Sequence, residues 1–306
     1  MKIGFLGCGN MGSIYAGYLS QVHDVYVFDV SEATIDSVKK NGILIDEPDG
    51  TTLSFRPKMA TTNPDDIGPC DLMIVFVKYM FLADALRNAH AMFDDHTMVM
   101  SLQNGIGNTD EIAKVVPTNQ ILCGTTAHGG NTIAPGHVRH AGTGATQIGT
   151  IDPANMDKVR EIAAAFEAAG LPCDAKEGNP LNLVWHKLFA NIVINAQTAL
   201  LNVQNKFTND NEDAHYLGDK MVREAIAVAN ATGGHFDVEE EVKGAFNVAV
   251  LTGENRSSML QDVDNKRRTE IDIINGAVVK LGAEAGIPTP YNDFIVHMIH
   301  AKQATY

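Results

Sequence analysis

Short runs of consecutive apolar residues alternate with amphipathic segments through the first half of the chain, and long amphipathic segments fill the second half. KIGFL at 2–6 reads as a buried strand, a glycine turn follows, and the spacing over 11–20 predicts a helix. DVYVFDV at 24–30, rich in β-branched and aromatic residues, predicts a second strand and completes a β-α-β unit. Asp49-Gly50 lies between GILIDEP and TTLSF and has hairpin-turn chemistry, which predicts an antiparallel excursion before the parallel pattern resumes. DLMIVFVK (71–78) and TMVMSLQNG (97–105) are the next buried strands, with a helical stretch at 80–92 between them.

ILCGTTAHGG and GHVRHAGTGATQIGT read as strands and turns that complete the first domain. Asp152-Pro153 starts a helix that reaches about 169, and LPCDAKE supplies a last strand. Gly178-Asn179-Pro180 then marks the domain boundary. Amphipathic segments near 181–203, 212–232, 238–252, 257–285 and 289–303 follow it. The expected organisation is an α/β domain over 1–178 and an all-α domain over 179–306.

A length of 306 residues suits two domains, and 45% apolar with 20% charged residues suits globular folding. The formal charge of −14 repels phosphate backbones, so neither nucleic acid nor an anionic membrane surface is an expected partner. The longest strongly apolar stretch, 72–77, is far short of a membrane span. Glycines 4, 7, 9 and 12 interrupt the apolar start, which argues against an export signal and for a mature chain beginning at Met1. Cys8, Cys70, Cys123 and Cys173 are widely separated, as in a cytoplasmic protein. His137 with His140, and His297 with His300, lack further ligands nearby, so no metal is expected.

Gly7-Cys8-Gly9-Asn10-Met11-Gly12 has the spacing G-x-G-x-x-G between a predicted strand and a predicted helix. In that context the first glycine permits a tight turn, the second lets a pyrophosphate reach the backbone, and the third allows close helix packing. Asp29, 22 residues after Gly7, closes the second strand where a carboxylate can accept hydrogen bonds from an adenosine ribose. It would repel a 2′-phosphate, and no basic residue follows until Lys39, so NAD is the expected cofactor over NADP. The structural alternatives for Asp29 are a helix N-cap and a solvated strand end.

In WHKLFANIVIN, Lys187, Asn191 and Asn195 recur every four residues and form one polar stripe through apolar helical sequence. A lysine among apolar neighbours is costly unless it meets an anion or a substrate, so the stripe marks a site rather than a solvated face. A cationic lysine can donate a proton to a carbonyl oxygen as hydride reaches its carbon, while the amides hold the substrate in register. His186 points about 100° away and is read as structural. Farther on, Ser257 or Ser258 can cap a helix and Glu270 can pair with a basic neighbour.

Taken together, IGFLGCGNMG, FVK ending at Lys78, SLQNG containing Asn104, GTTAHGG, WHKLFANIVINAQTAL, SSMLQD and RRTEIDIINGAVV resemble, in order, the motifs of the ketopantoate reductase family. The resemblance spans essentially the whole chain. It implies a Rossmann-like domain followed by a helical one, with cofactor and 2-oxo acid meeting in the cleft between them. It also implies that Lys187 is the general acid, that Glu270 orients substrate and lysine, and that Asn104, Asn191, Asn195, Asn255 and Ser258 contact substrate. Lys78 falls where the family places a lysine near the cofactor and active site, Asn104 is implied as a cofactor contact as well, and a D-configured hydroxy acid is the implied product.

Asp29-Val30-Ser31 departs from the basic residue that NADPH-preferring members carry after the second strand. It points to relatives that act as NADH-linked D-2-hydroxyacid dehydrogenases, including those of D-mandelate type. Asn255 and Ser258, suited to ketopantoate's terminal hydroxyl, pull toward 2-dehydropantoate reduction with NADPH. The expected function is NAD-linked transfer of hydride between a C3-branched 2-oxo acid and its D-2-hydroxy acid. A β-hydroxyacid dehydrogenase is disfavoured by SSMLQD and TEIDIING, and a non-catalytic nicotinamide sensor by the intact Lys187 and Glu270. The apolar helical domain makes a homodimer the expected assembly.

Overall fold

The apolar runs of the first half become strands buried on both faces. All 306 residues are described by a computed structural model, and they divide into Met1–Gln103 with Asn108–Leu183, and Asn104–Gly107 with Val184–Tyr306. The first unit runs β1 (Lys2–Leu6), α1 (Asn10–Leu19), β2 (Asp24–Phe28), α2 (Glu32–Asn41), β3 (Ile43–Asp46), β4 (Thr52–Phe55), β5 (Met59–Thr61), β6 (Leu72–Val75) and α3 (Tyr79–Asn88). It continues with β7 (Met98–Ser101), α4 (Asn108–Ile112), β8 (Ile121–Thr126), β9 (Gly129–Ala134), β10 (His137–Gly142), β11 (Thr146–Thr150), α5 (Met156–Ala168) and β12 (Cys173–Ala175).

Eight strands form one sheet in the order β12-β11-β8-β7-β6-β1-β2-β5. The run from β8 to β5 is parallel throughout, and β11 is antiparallel to β8. Successive side chains point to opposite faces. Thus Ile3, Phe5, Leu72 and Ile74 enter one core with Ile14 and Leu19 of α1 and Phe166 of α5. Leu6, Met73, Val75 and Val99 enter another with Leu82 and Leu86 of α3 and Ile112 of α4. Each such side chain contributes about 1.5–3 kcal/mol by burial, which fixes the strand ends from which the cofactor loop springs.

The hairpin expected at Asp49-Gly50 is present, with β3 and β4 antiparallel from Ile43↔Phe55 to Asp46↔Thr52. It belongs to a separate four-stranded sheet, β4-β3-β10-β9, in which β10 lies parallel to β3. The pattern did not predict that second sheet, because its partners are about ninety residues apart in sequence, as His137 pairing Leu44 illustrates.

The second unit is helical: α6 (Leu181–Leu201), α7 (Phe207–Asp210), α8 (Glu212–Ala231), α9 (Val238–Leu251), α10 (Ser258–Asp264), α11 (Asn275–Ala285) and α12 (Pro290–Gln303). Phe189, Val193, Val222, Ile226, Phe246, Leu260, Val278 and Ile299 share its core. The single helix expected over 257–285 is corrected. α10 stops at Asp264, Lys266 turns the chain with φ 53°, and a short 3-10 turn at Ile271–Ile273 precedes α11. That break places Glu270 in a turn, where a continuous helix would have carried it onward. Asn292 of α12 ties three helices by donating to the Met221 carbonyl and Glu224 of α8 and accepting from Asn275 of α11. No helix is long and apolar enough to cross a membrane.

A buried relay joins the hairpin to the rest of the first unit. Tyr18 donates to Glu47 at 2.8 Å, His140 Nδ1 lies 3.0 Å from the same carboxylate, and His140 Nε2 lies 2.9 Å from His128 Nδ1. An acceptor-only carboxylate requires His140 to donate from Nδ1, which leaves its Nε2 to accept from His128. His128 Nε2 is then buried with no hydrogen-bond partner. Burial, with the neighbouring His140, pushes the His128 imidazole down from its ordinary 6.5 to about 4. The unfolded chain therefore takes up this proton at higher pH than the folded one. Stability from His128 is complete above pH 6.5 and drains as pH falls toward 4, at up to about 1.4 kcal/mol per pH unit. Thermal unfolding followed between pH 7 and 4 is expected to show a shallower decline for His128→Asn than for the unaltered chain; equal slopes would reject the assignment.

Candidate active site

The glycine loop is shaped by contacts that leave no room for side chains. Gly7 sits at φ +99° and donates to the Phe28 carbonyl at 2.9 Å, which binds the loop to the end of β2. A Cβ on Gly12 would stand 2.1 Å from the Gly7 carbonyl oxygen, so only glycine lets α1 start this close to β1. Gly9 is exposed and precedes α1, and a Cβ there would meet no other part of the protein within 4 Å. The first turn of α1 has no acidic residue and no side-chain cap, so its backbone N–H groups keep their positive end for an anion. The loop thus fits a dinucleotide pyrophosphate, with Gly9 on the approach side.

Around the loop, Cys8 donates its backbone N–H to Asp29 Oδ2 at 2.7 Å, and Ser31 donates its own to Oδ1 at 2.8 Å. Asp29 is half-buried directly after β2, while Ser31 caps α2 by accepting from Thr34. The helix-cap alternative for Asp29 is therefore corrected: Ser31 caps, and Asp29 holds a carboxylate beside the glycine loop. The Cys8 thiol is buried 3.4 Å from Ser13 Oγ and pushed up to about 12 by desolvation, which keeps it neutral. Asn10 donates to the Gly130 carbonyl at 3.0 Å and accepts from Thr132, both on β9. Met11 packs on the sheet core. Lys78 is the half-buried residue just before α3. The preceding carbonyl, of Val77, accepts from the buried Gln103 Nε2 at 2.5 Å, a contact that no local pattern around Gln103 signals.

In the second unit, α6 carries Lys187 and Asn191 half-buried and Asn195 fully buried. Burial pushes the Lys187 ammonium down from 10.5 to about 8, and the carboxylate of Glu270 partly offsets this. Asn195 Nδ2 is buried without a hydrogen-bond partner, two N–H donors on the same stripe as the lysine. Such a group costs about 1–3 kcal/mol unless something accepts from it, and a carboxylate or carbonyl oxygen would. His186 points elsewhere, 2.9 Å from Glu241 and edge-on to Phe236, as a structural residue would.

Asn104 is half-buried at the start of the segment 104–107, whose Ile106 N–H donates to the Ile273 carbonyl at 3.0 Å. The segment is thereby held on the turn that follows Glu270. Asn255 and Ser258 are exposed at the start of α10. Ser257, not Ser258, caps that helix by accepting from the Leu260 N–H, so Ser258 keeps its hydroxyl for another partner. The structure therefore groups Lys187 with Glu270, strings Asn191 and Asn195 along α6, and sets Asn255 and Ser258 together. Gly7 to Gly12, Asp29 and Lys78 lie in the other unit.

Residues 3–153 match the family model described as ketopantoate reductase PanE/ApbA, and residues 179–303 match its C-terminal counterpart. The chain belongs to the ketopantoate reductase family. It is 35% identical over 304 residues to a 2-dehydropantoate 2-reductase of Halobacterium salinarum, covering 99% of each chain. Among solved structures it resembles a D-mandelate dehydrogenase in complex with NADH and anilino(oxo)acetate, with a TM-score of 0.94, 28% identity, and coverage of 100% of this chain and 99% of that one. It also resembles a 2-dehydropantoate 2-reductase of Geobacter metallireducens, with a TM-score of 0.91, 27% identity and coverage of 98% and 99%. In this family the glycine loop accordingly serves a nicotinamide dinucleotide, and the two glycines at its centre and end separate binding from folding. Gly12→Ala is expected to lower the thermal midpoint and abolish NADH binding, because the Gly7 carbonyl must move. Gly9→Ala, with open space and φ −77°, is expected to unfold normally yet weaken NADH binding at least about tenfold, or ~1.4 kcal/mol, read by fluorescence titration.

Proposed function

We propose that this chain is an NAD(H)-linked oxidoreductase that interconverts a C3-branched 2-oxo acid and its D-2-hydroxy acid, with Lys187 as the general acid. The observation that carries the reading is Lys187 itself: a lysine held on an apolar helix, lowered to about 8 by burial, with Glu270 as its carboxylate neighbour. A proton donor near neutrality is what alkoxide protonation requires. Reduced nicotinamide, when bound, supplies the hydride that reaches C2 of the acid.

The chain's own residues do the rest. The Lys187 ammonium donates to the 2-oxo oxygen, stabilises the charge that grows there, and passes its proton as the alkoxide forms. Glu270 raises the lysine's proton affinity against the burial that lowers it. Asn191 and Asn195 orient the acid along α6, with Asn195 Nδ2 as an available donor. Asn104, Asn255 and Ser258 contact the remainder of the substrate, and Lys78 serves the cofactor side.

Asp29 supports NAD over NADP. Its carboxylate is fixed beside the glycine loop by two backbone N–H groups, so it cannot swing away from a 2′-phosphate without giving up both. The NADH in the D-mandelate dehydrogenase complex agrees with that chemistry. The second reading is NADPH-dependent reduction of 2-dehydropantoate, whose substrate is the one the Halobacterium salinarum 2-dehydropantoate 2-reductase is named for. A cytoplasmic homodimer is the expected setting for either.

Two outcomes are expected. Turnover of 2-oxo acids should fall as pH rises through about 8 while oxidation of the hydroxy acid rises through it, since one needs the ammonium and the other the amine. Glu270→Gln should shift both limbs to lower pH, and Lys187→Met should cost about 10²- to 10⁴-fold in rate. Near-normal turnover of Lys187→Met would reject the role. Separately, kcat/KM should favour NADH, and Asp29→Ser should move the NADPH/NADH ratio up by about tenfold, ~1.4 kcal/mol; an unmoved ratio would return the assignment to the NADPH-dependent reading.

A further inference from the structure

The hydroxyls of Thr198 and Ser257 lie outside every role assigned so far, yet they join the two stretches that carry the proposed substrate contacts. Thr198 lies on α6, three residues beyond Asn195, and is completely buried; Ser257 is buried at the start of α10. Their oxygens are 2.7 Å apart. Thr198 Oγ1 donates to the Asn195 carbonyl at 3.1 Å, and Ser257 Oγ accepts from the Leu260 N–H at 3.1 Å. With the threonine proton spent on Asn195, the serine must donate to threonine. The contacts form one chain, from the Leu260 N–H to Ser257 Oγ, between the Ser257 and Thr198 hydroxyls, and from Thr198 Oγ1 to the Asn195 carbonyl.

The ends of the same two stretches are laced by backbone. Asn205 donates its N–H to the Asn255 carbonyl at 3.0 Å, and Lys206 donates to Gly253 at 3.1 Å. Asn205 Nδ2 reaches Thr252 Oγ1 at 3.0 Å. Asn202, which ends α6 at φ 55°, accepts from Arg256 at 2.9 Å. The lacing holds the loop before α10 to the segment after α6. Only the hydroxyl pair reaches back to the backbone of Asn195 itself.

We propose that Thr198 and Ser257 are positioning residues that set the spacing between Asn195 on one side of the 2-oxo acid and Asn255 with Ser258 on the other. The inference rests on the proposed 2-oxo acid reading. Neither hydroxyl touches substrate; each acts through its neighbour. Losing the pair lets α10 drift relative to α6 by a fraction of an ångström, which weakens binding of the acid and leaves the lysine's chemistry in place.

The test separates positioning from stability. Thr198→Val keeps shape but strands the Ser257 donor, and Ser257→Ala strands less; each single change is expected to lower the thermal midpoint. The double variant removes both hydroxyls and should recover the part of that loss that comes from the stranded Ser257 donor, while the uncapped Leu260 N–H keeps its midpoint below that of the unaltered chain. If the pair positions, the double variant still shows a KM for 2-oxoisovalerate or ketopantoate raised about tenfold, with kcat within about twofold and KM for NADH unmoved. Calorimetric titration of anilino(oxo)acetate in the presence of NADH should weaken by the same factor, and Thr198→Ser should restore both. A double variant whose KM returns with its stability would overturn the proposal, as would a single variant with unaltered KM. Absence of turnover of any 2-oxo acid by the unaltered chain would instead overturn the functional reading, and the inference with it.

Discussion

A lysine placed on an otherwise apolar helix is the constraint around which the second unit is organised. α6 contributes Leu188, Phe189, Ile192, Val193 and Ala196 to its core, so it cannot turn without exposing them. The heading of Lys187, Asn191 and Asn195 is therefore fixed by hydrophobic packing on the rest of the helix. Desolvating the ammonium costs free energy that Glu270 only partly returns, as the lowered value of about 8 records. Folding offsets that cost with the core, and the lysine is left titrating closer to neutrality than a solvated one.

The first unit meets the opposite problem, since an anion must be held without a cation in the loop. It is solved with backbone. The approach of α1 to β1 across Gly7 and Gly12 aims N–H groups outward, and the bare Gly9 leaves them reachable. Asp29 takes the N–H of Cys8, so a carboxylate becomes part of the loop's own scaffold.

Much of the fold was legible because its signals are local. Buried parallel strands announce themselves as unbroken runs such as LMIV at 72–75, and the Asp49-Gly50 turn specifies a hairpin confined to Ile43–Phe55. The second sheet and the Tyr18-Glu47-His140-His128 relay were not legible, because their partners come from distant stretches and no periodicity records a pairing of that range. The helix break after Asp264 was missed for a related reason. Lys266 in the left-handed region is no glycine, so nothing local marks the turn, and only the packed surroundings hold it there.

The site divides the same way. Lys187, Asn191 and Asn195 were visible because a four-residue polar period within apolar sequence is improbable as mere solubility, and the helix carries all three as expected. Thr198 and Gln103 were not, since a threonine inside a helix and a glutamine after a strand are ordinary residues until their partners are known. Yet these ordinary residues determine distances. A hydroxyl at 2.7 Å from Ser257 and an amide at 2.5 Å from the Val77 carbonyl tie together stretches distant in sequence, and they do so from buried positions where water cannot substitute for them. Sequence patterns reveal the groups that act because those groups violate the local rule; the groups that place them obey it, and only the folded contacts distinguish them.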